Sequence, residues 1–169
     1  MTLNHLVLVG GGHTNALLMK NWLMKPNSMP DVPITIISRD PSLVYSSMYP
    51  SVISRSISFK ESLIDISSLA NSAKIAFLNC EVKDIQFDNQ TIILKNRPSI
   101  QYSKIILNCG SSTKVSKEFS ELVRENIACT IRPFFKSYQF IKSEDAFNTK
   151  NELPFVVTGS GLGAIEIVF

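Results

Sequence analysis

The chain has 169 residues, enough for one well-buried core and too few for two full nucleotide-binding domains. Hydrophobic residues make up 44% and charged residues 18%, a globular balance that excludes a disordered polymer. The net charge of +3 comes from scattered lysines and arginines with no basic stripe for nucleic acid, and no apolar run reaches the roughly 18 residues of a membrane span.

Residues 3–9 are an apolar run without a basic flank that ends in Gly10-Gly11-Gly12, the mark of a buried strand rather than a signal peptide. A helix is predicted next, with Ala16, Leu17, Met19, Leu23 and Met24 available for one face and Pro26 as its stop. Residues 34–37 are a second buried strand. The three pieces form a β-α-β unit whose continuous apolar strands point to a parallel sheet covered on both faces. Residues 41–57 are serine-rich and irregular or weakly helical, with Tyr45, Met48, Tyr49 and Pro50. A short helix is predicted over 65–72, capped by Asp65 or Ser67, and 74–78 is a third parallel strand.

The pattern then changes. Residues 81–88, 91–95 and 102–107 are strand-like segments separated by Asp88-Asn89-Gln90 and Asn96-Arg97-Pro98-Ser99, short polar breaks that suit hairpins. Residues 103–108 also supply the fourth strand of the expected sheet, beside 4–9, 34–38 and 74–78, with helices on one face and a three-stranded meander on the other. Helices are predicted over 116–125 and 134–142. Residues 153–158 are one more buried strand, running into Gly159-Ser160-Gly161, so a strand-glycine-helix motif occurs twice. The expected fold class is α/β: a Rossmann-like domain with a parallel sheet and a β-meander, followed by the start of a second Rossmann motif.

Gly10-Gly11-Gly12-His13-Thr14-Asn15 follows a strand and opens a helix. Gly10 permits the tight turn, Gly12 lets the backbone approach a pyrophosphate, and the helix N-terminus offers free N–H groups and a positive dipole end. Asn15 replaces the third glycine; its side chain either holds helix and strand slightly apart or bonds to the turn. Alone, this motif is a weak signal, and a glycine-rich strand-to-helix turn without ligand is the other reading. Gly159-Ser160-Gly161-Leu162-Gly163-Ala164 repeats it, with the permitted Ala164 in third place. One FAD site followed by one NAD(P)H site explains the pair directly. The acidic residue expected at the end of the second strand is missing, and Ser38, Arg39 and Asp40 stand there. Ser38 either bonds a ribose or faces solvent, and Arg39 either stacks on adenine, pairs with phosphate, or faces solvent.

Cys80, Cys109 and Cys129 are far apart, no CxxC pair exists, and the only histidines are His5 and His13. Neither a metal site nor a disulfide framework is expected, and a reducing cytoplasm is the natural compartment. Cys109 and Cys129 read as packed core thiols rather than redox groups.

The order Leu6-Val7-Leu8-Val9-Gly10-Gly11-Gly12-His13-Thr14, then Ser38-Arg39-Asp40, then Tyr45-Ser46-Ser47-Met48-Tyr49-Pro50 resembles the pyridine nucleotide-disulfide oxidoreductase superfamily. The branch it resembles is that of type II NADH dehydrogenases, and within it the flavoprotein modules fused ahead of selenide, water dikinase. The resemblance runs along the whole chain, and the Tyr45-Ser46-Ser47-Met48-Tyr49-Pro50 segment is its most diagnostic part. It implies FAD held over Gly10, Gly11, Gly12, His13 and Thr14, with Ser38 and Arg39 at the second strand's end and the Val82 backbone against adenine. Gly110 lies in a turn, Asn108-Cys109-Gly110-Ser111, where the family usually has Ala-Thr-Gly; Asn108 and Cys109 depart from it. Arg132-Pro133 resembles the element that links the FAD and NAD(P)H domains. Gly159, Gly161 and Ala164 correspond to the NAD(P)H turn, and Glu166 either lies near the nicotinamide or is a surface residue of its helix. The family's dithiol branch carries a cysteine pair after the second strand, and residues 41–53 contain no cysteine. The resemblance therefore implies a direct flavin relay from NAD(P)H to a quinone-like or other small acceptor.

On this reading residues 1–150 form the FAD-binding domain and 151–169 begin an NAD(P)H-binding domain whose site is incomplete, since a β-α-β unit takes roughly 30 residues. Poor anchoring beyond residue 150 and little NAD(P)H turnover by the isolated chain are expected. The chain is then a truncated remnant, a partial product, or a split half that needs a complementary chain or a second copy. The rival expectation is a non-catalytic protein that binds FAD weakly or serves only as an interaction partner.

Overall fold

The computed structural model describes residues 4–125, 127–143, 156–159 and 162–168. Its elements run β1 (Leu6–Val9), α1 (His13–Met24), β2 (Ile34–Ser38), β3 (Ser42–Val44), α2 (Tyr49–Ile53), β4 (Leu63–Asp65), α3 (Ile66–Ser72) and β5 (Ala76–Asn79). They continue β6 (Val82–Gln86), β7 (Thr91–Leu94), β8 (Ile100–Gln101), β9 (Lys104–Leu107), α4 (Lys117–Arg124), α5 (Phe134–Ser143) and α6 (Leu162–Val168). The chain divides into two compact units, Met1–Leu43 with Ile64–Gly110, and Val44–Leu63 with Ser111–Phe169.

In the first unit, β5, β2, β1 and β9 form a parallel sheet in that order. Leu6 lies opposite Ile34 on one side and Lys104 on the other, and Thr35 opposite Ala76. Side chains alternate across a strand, so each apolar run feeds two cores. Leu6, Leu8, Ile34 and Ile36 pack with Ala16, Met19 and Trp22 of α1 and Ile66 and Ala70 of α3. Val7, Val9 and Ile37 pack on the other face against Ile92, Leu94 and Tyr102. The expected α/β class, with helices on one face and an antiparallel three-stranded sheet on the other, is what the structure shows. Both faces are covered, which is why these strands have no polar side.

Three details differ from expectation. The buried face of α1 is Asn15, Ala16, Met19 and Trp22, while Leu17 is 63% exposed and Met24 70%. Ala16, Met19 and Trp22 recur every third residue along one stripe, and Leu17 is turned about 100° from Ala16. The meander closes with Ile100–Gln101 rather than 102–107: β8 pairs with β7, and the chain then changes sheets. Tyr102 N donates to Gln90 O at 2.9 Å, while Ser103 N and Lys104 N both turn to His5 O, releasing β9 to the parallel sheet. Of the strand expected over 153–158, residues 153–155 lie outside the described residues, and 156–159 belong to no strand. Asp65, not Ser67, caps α3: its Oδ1 accepts from Ser68 N at 2.8 Å and its Oδ2 from Ser68 Oγ at 2.7 Å. These bonds hold the Asp65 carboxyl below its ordinary range.

The second unit is built on aromatic side chains. Val44, Tyr49 and Val52 are buried with Phe59, Phe134, Phe135 and Tyr138 packed against them. Phe59 stacks on Tyr138 at 4.0 Å between centroids, and Tyr49 meets Phe134 at 4.7 Å. The 41–57 stretch thus holds the short strand β3 and a short helix whose second residue is Pro50, where proline is tolerated. Ser116 caps α4 by accepting from Phe119 N at 3.2 Å. No helix among the described residues is long and apolar enough to cross a membrane.

Candidate functional site

The turn between β1 and α1 is fixed from both neighbouring strands. Gly10 N donates to Ile37 O of β2 at 2.8 Å, and Asn108 N, just past β9, donates to Val9 O at 2.7 Å. Gly10 has φ +92°, and a Cβ there would fall on the Asn108 carbonyl and lie 2.7 Å from Cys109 Cα. Glycine is required at this position by conformation and by space. Gly12 has an ordinary φ of −73°, so its requirement is one of space alone. A Cβ there would overlap Asn108 Oδ1 and lie 2.6 Å from both Cγ and O of Asn108. A Cβ on Gly11 would come within 2.8 Å of Ser38 Oγ.

Asn108 is the residue that sequence reasoning missed as a partner of α1. Its Oδ1 accepts from Thr14 N at 3.0 Å and from Asn15 N at 3.4 Å. It therefore caps α1, whose preceding residue, Gly12, has no side chain for the task. The only signal was the departure of Asn108 from the family's usual residue. Asn15 is fully buried, and its Nδ2 donates to Gly10 O at 2.8 Å, so of its two readings it bonds to the turn. Its Oδ1 is buried without a hydrogen-bond partner among the described residues. His13 is half-buried at the first helical position and Thr14 is exposed.

At the end of β2, Ser38 is buried and its hydroxyl donates to Asp40 O at 2.7 Å. Arg39 is exposed and pairs with Asp40 at 3.2 Å. Asn79 Nδ2 ties this end to β5 by donating to Ser38 O and Arg39 O. Val82 opens β6 half-buried in the meander core. Beside it Glu81 and Lys95 pair at 2.8 Å, which lowers the Glu81 carboxyl and raises the Lys95 ammonium. Gly110 is exposed with φ +79°, and among the described residues nothing lies within 4 Å of where its Cβ would be.

Cys109 is a correction: it is exposed, not a packed core thiol, because it stands in the turn beyond β9 with Sγ donating to Val9 O at 3.6 Å. Cys129 is half-buried, and burial raises its thiol pKa.

The second turn lies in the other unit. Gly159 has φ +139°, and among the described residues its would-be Cβ has Ala164 Cβ at 3.8 Å as its nearest neighbour. Gly161 lies outside the described residues. On α6, Ala164 is half-buried and Glu166 exposed. Arg132, ahead of α5, donates to Ser111 Oγ at 2.8 Å and lies over the Phe134 ring at 5.6 Å. Tyr49 OH and Ser137 Oγ share a hydrogen bond of 2.5 Å, and burial pushes the Tyr49 phenol up to about 12.

The backbone from Gly10 to α1 is a glycine turn leading into a helix N-terminus, the general form of turn at which phosphates can bind. In the orientation seen here the Asn108 side chain leaves no room for such a ligand. Its oxygen already bonds two of the N–H groups a phosphate would use and fills the space beside Gly12.

No family model matches the chain. The sulfide-quinone reductase of Aquifex aeolicus (strain VF5) is 25% identical over 117 residues, covering 69% of this chain and 26% of the relative. The solved sulfide:quinone oxidoreductase from Aquifex aeolicus matches with a TM-score of 0.56 and 24% identity, over 64% of this chain and 25% of that one. NDH2 from Plasmodium falciparum, solved in complex with RYL-552, matches with a TM-score of 0.65 and 17% identity, over 90% and 31%. These structural neighbours are members of the pyridine nucleotide-disulfide oxidoreductase family, and the likeness shows their fold in this chain. The chain spans about a quarter of the length of the curated relative it matches.

Proposed function

We propose that this chain is the FAD-binding part of an FAD-dependent NAD(P)H oxidoreductase that passes electrons through the flavin to a quinone-like or other small acceptor. The observation that carries the reading is the turn of Gly10, Gly11 and Gly12, set between the inner strand β1 and α1 and fixed from both flanking strands. FAD, when bound, supplies the redox chemistry; the chain supplies the backbone that holds its phosphates. On this reading Ser38, Arg39, Val82 and Gly110 lie along the rest of the dinucleotide. Residues 1–150 are its domain, and 151–169 begin an NAD(P)H-binding domain that uses Gly159, Gly161, Ala164 and Glu166. The Tyr45-Ser46-Ser47-Met48-Tyr49-Pro50 segment favours the type II NADH dehydrogenase-like branch, close to the module fused to selenide, water dikinase. Three free thiols suit the reducing cytoplasm.

One observation favours a second reading, a non-catalytic protein with weak FAD affinity: the Asn108 amide in the phosphate position. Incubation of the purified chain with FAD, followed by desalting, separates the two. A retained flavin absorption spectrum supports the oxidoreductase reading. A folded, colourless protein that FAD cannot reconstitute overturns it.

A further inference from the structure

We infer that the Asn108 side chain is a built-in plug of the phosphate cradle, which must swing away before a dinucleotide binds. The inference rests on the reading that this turn takes FAD and says how that site is controlled.

The first N–H groups of an α-helix have no partner within the helix. In α1 those of Thr14 and Asn15 are answered by one oxygen, Asn108 Oδ1, from a residue 94 positions from Thr14. Space gives the same result independently. The side of Gly12 left open by the missing Cβ is filled by Asn108, its amide Cγ and its backbone O each 2.6 Å from that position. Plug and phosphate thus need the same donors and the same volume.

The competition is one that a ligand can win. Asn108 is half-buried, and its backbone is held by the bond from its N to Val9 O, so side-chain rotation alone frees the Thr14 and Asn15 N–H groups, while the Asn108 backbone carbonyl stays beside Gly12. An amide oxygen is neutral, whereas a phosphate is anionic and gains more from the helix dipole. Changing the plug's chemistry should therefore move two quantities in opposite directions. Alanine removes the cap and opens the cradle. Aspartate keeps the shape, caps more strongly as an anion, and repels phosphate.

The test uses the full 169-residue chain as wild type, Asn108→Ala and Asn108→Asp, with FAD as the probe. Affinity is read by flavin fluorescence titration, unfolding midpoints are taken without FAD, and hydrogen exchange is followed at Thr14 and Asn15. The expected order of affinity is Ala, Asn, Asp. Asn108→Ala should bind FAD roughly fivefold to tenfold tighter, the equivalent of one side-chain cap. Without FAD the midpoints should run in reverse, Asp highest and Ala lowest. In Asn108→Ala the two amides should exchange faster than in wild type and become protected when FAD is added. FAD binding by Asn108→Ala that is equal to or weaker than wild type, in a folded protein, overturns the plug and leaves the FAD reading standing. If no folded variant binds FAD, both fall. If Asn108→Ala does not fold, the Asp variant decides: binding as tight as wild type or tighter overturns the inference.

Discussion

Gly10 and Gly159 open the same kind of motif in different surroundings. A Cβ on Gly10 would strike the backbone of Asn108 and Cys109, whereas among the described residues one on Gly159 would find only Ala164 Cβ, at 3.8 Å. The first turn follows a strand paired on both sides, and the residue past β9 comes back over it. Residues 156–159, before the second turn, belong to no strand. The pattern of glycines is therefore not what makes a glycine indispensable. The neighbouring chain does, by taking the space a side chain would need.

The largest expected effect separates the two turns. Gly10→Val places a β-branched residue at φ +92° and drives its Cβ into backbone that cannot turn aside. The loss should exceed about 4 kcal/mol, enough to abolish cooperative unfolding in a marginally stable domain. Gly159→Ala meets conformational strain without overlap and should cost roughly 1–3 kcal/mol. Urea unfolding followed by circular dichroism measures both. Equal losses would mean that packing around the first turn is not what distinguishes it.

A smaller effect tests the aromatic unit. Tyr49→Phe removes the 2.5 Å bond to Ser137, whose hydroxyl still has Ile131 O at 2.8 Å. The cost should be about 0.5–1.5 kcal/mol. The pH dependence supplies the sign. Burial raises the Tyr49 pKa from 10.0 to about 12, so the native state keeps a proton that the unfolded chain loses first. Its contribution is fully present below pH 10 and disappears as pH rises to about 12. Across that window wild type should lose stability more steeply than Tyr49→Phe. Parallel curves would show that the phenol is not protected as its burial implies.

Much of this architecture was legible in the residues. The strands of the parallel sheet announce themselves because both faces are covered, so their apolar runs are unbroken. The division between β8 and β9 was not, because residues 100–107 carry no break and the change of sheet depends on Tyr102 N finding Gln90 O. The buried face of α1 was misread because apolar side chains run all round it, leaving Leu17 and Met24 outside. The cap of α1 escaped notice for a different reason. Capping is read from residues next to a helix in sequence, and Asn108, over 90 positions away, arrives from the neighbouring edge strand only once β9 has paired with β1.

The smallest expected change comes from making the first motif more like the second at its third position, where Asn15 stands in place of Ala164. Asn15→Ala removes the 2.8 Å bond from Nδ2 to Gly10 O, a loss of about 0.5–1.5 kcal/mol. It also removes Oδ1, a buried acceptor without a partner among the described residues, whose desolvation costs about 1–3 kcal/mol. Alanine is in addition the better helix former, by up to about 0.7 kcal/mol. These contributions, together with the cost of the small cavity left by the buried side chain, oppose one another, and the net change should lie within about 1 kcal/mol of zero, far below that of Gly10→Val in the same turn. Unfolding midpoints of Asn15→Ala and wild type provide the measurement. A loss above about 2 kcal/mol would mean that the Asn15 carbonyl is satisfied in solution, and that this side chain holds the glycine turn in shape rather than merely touching it.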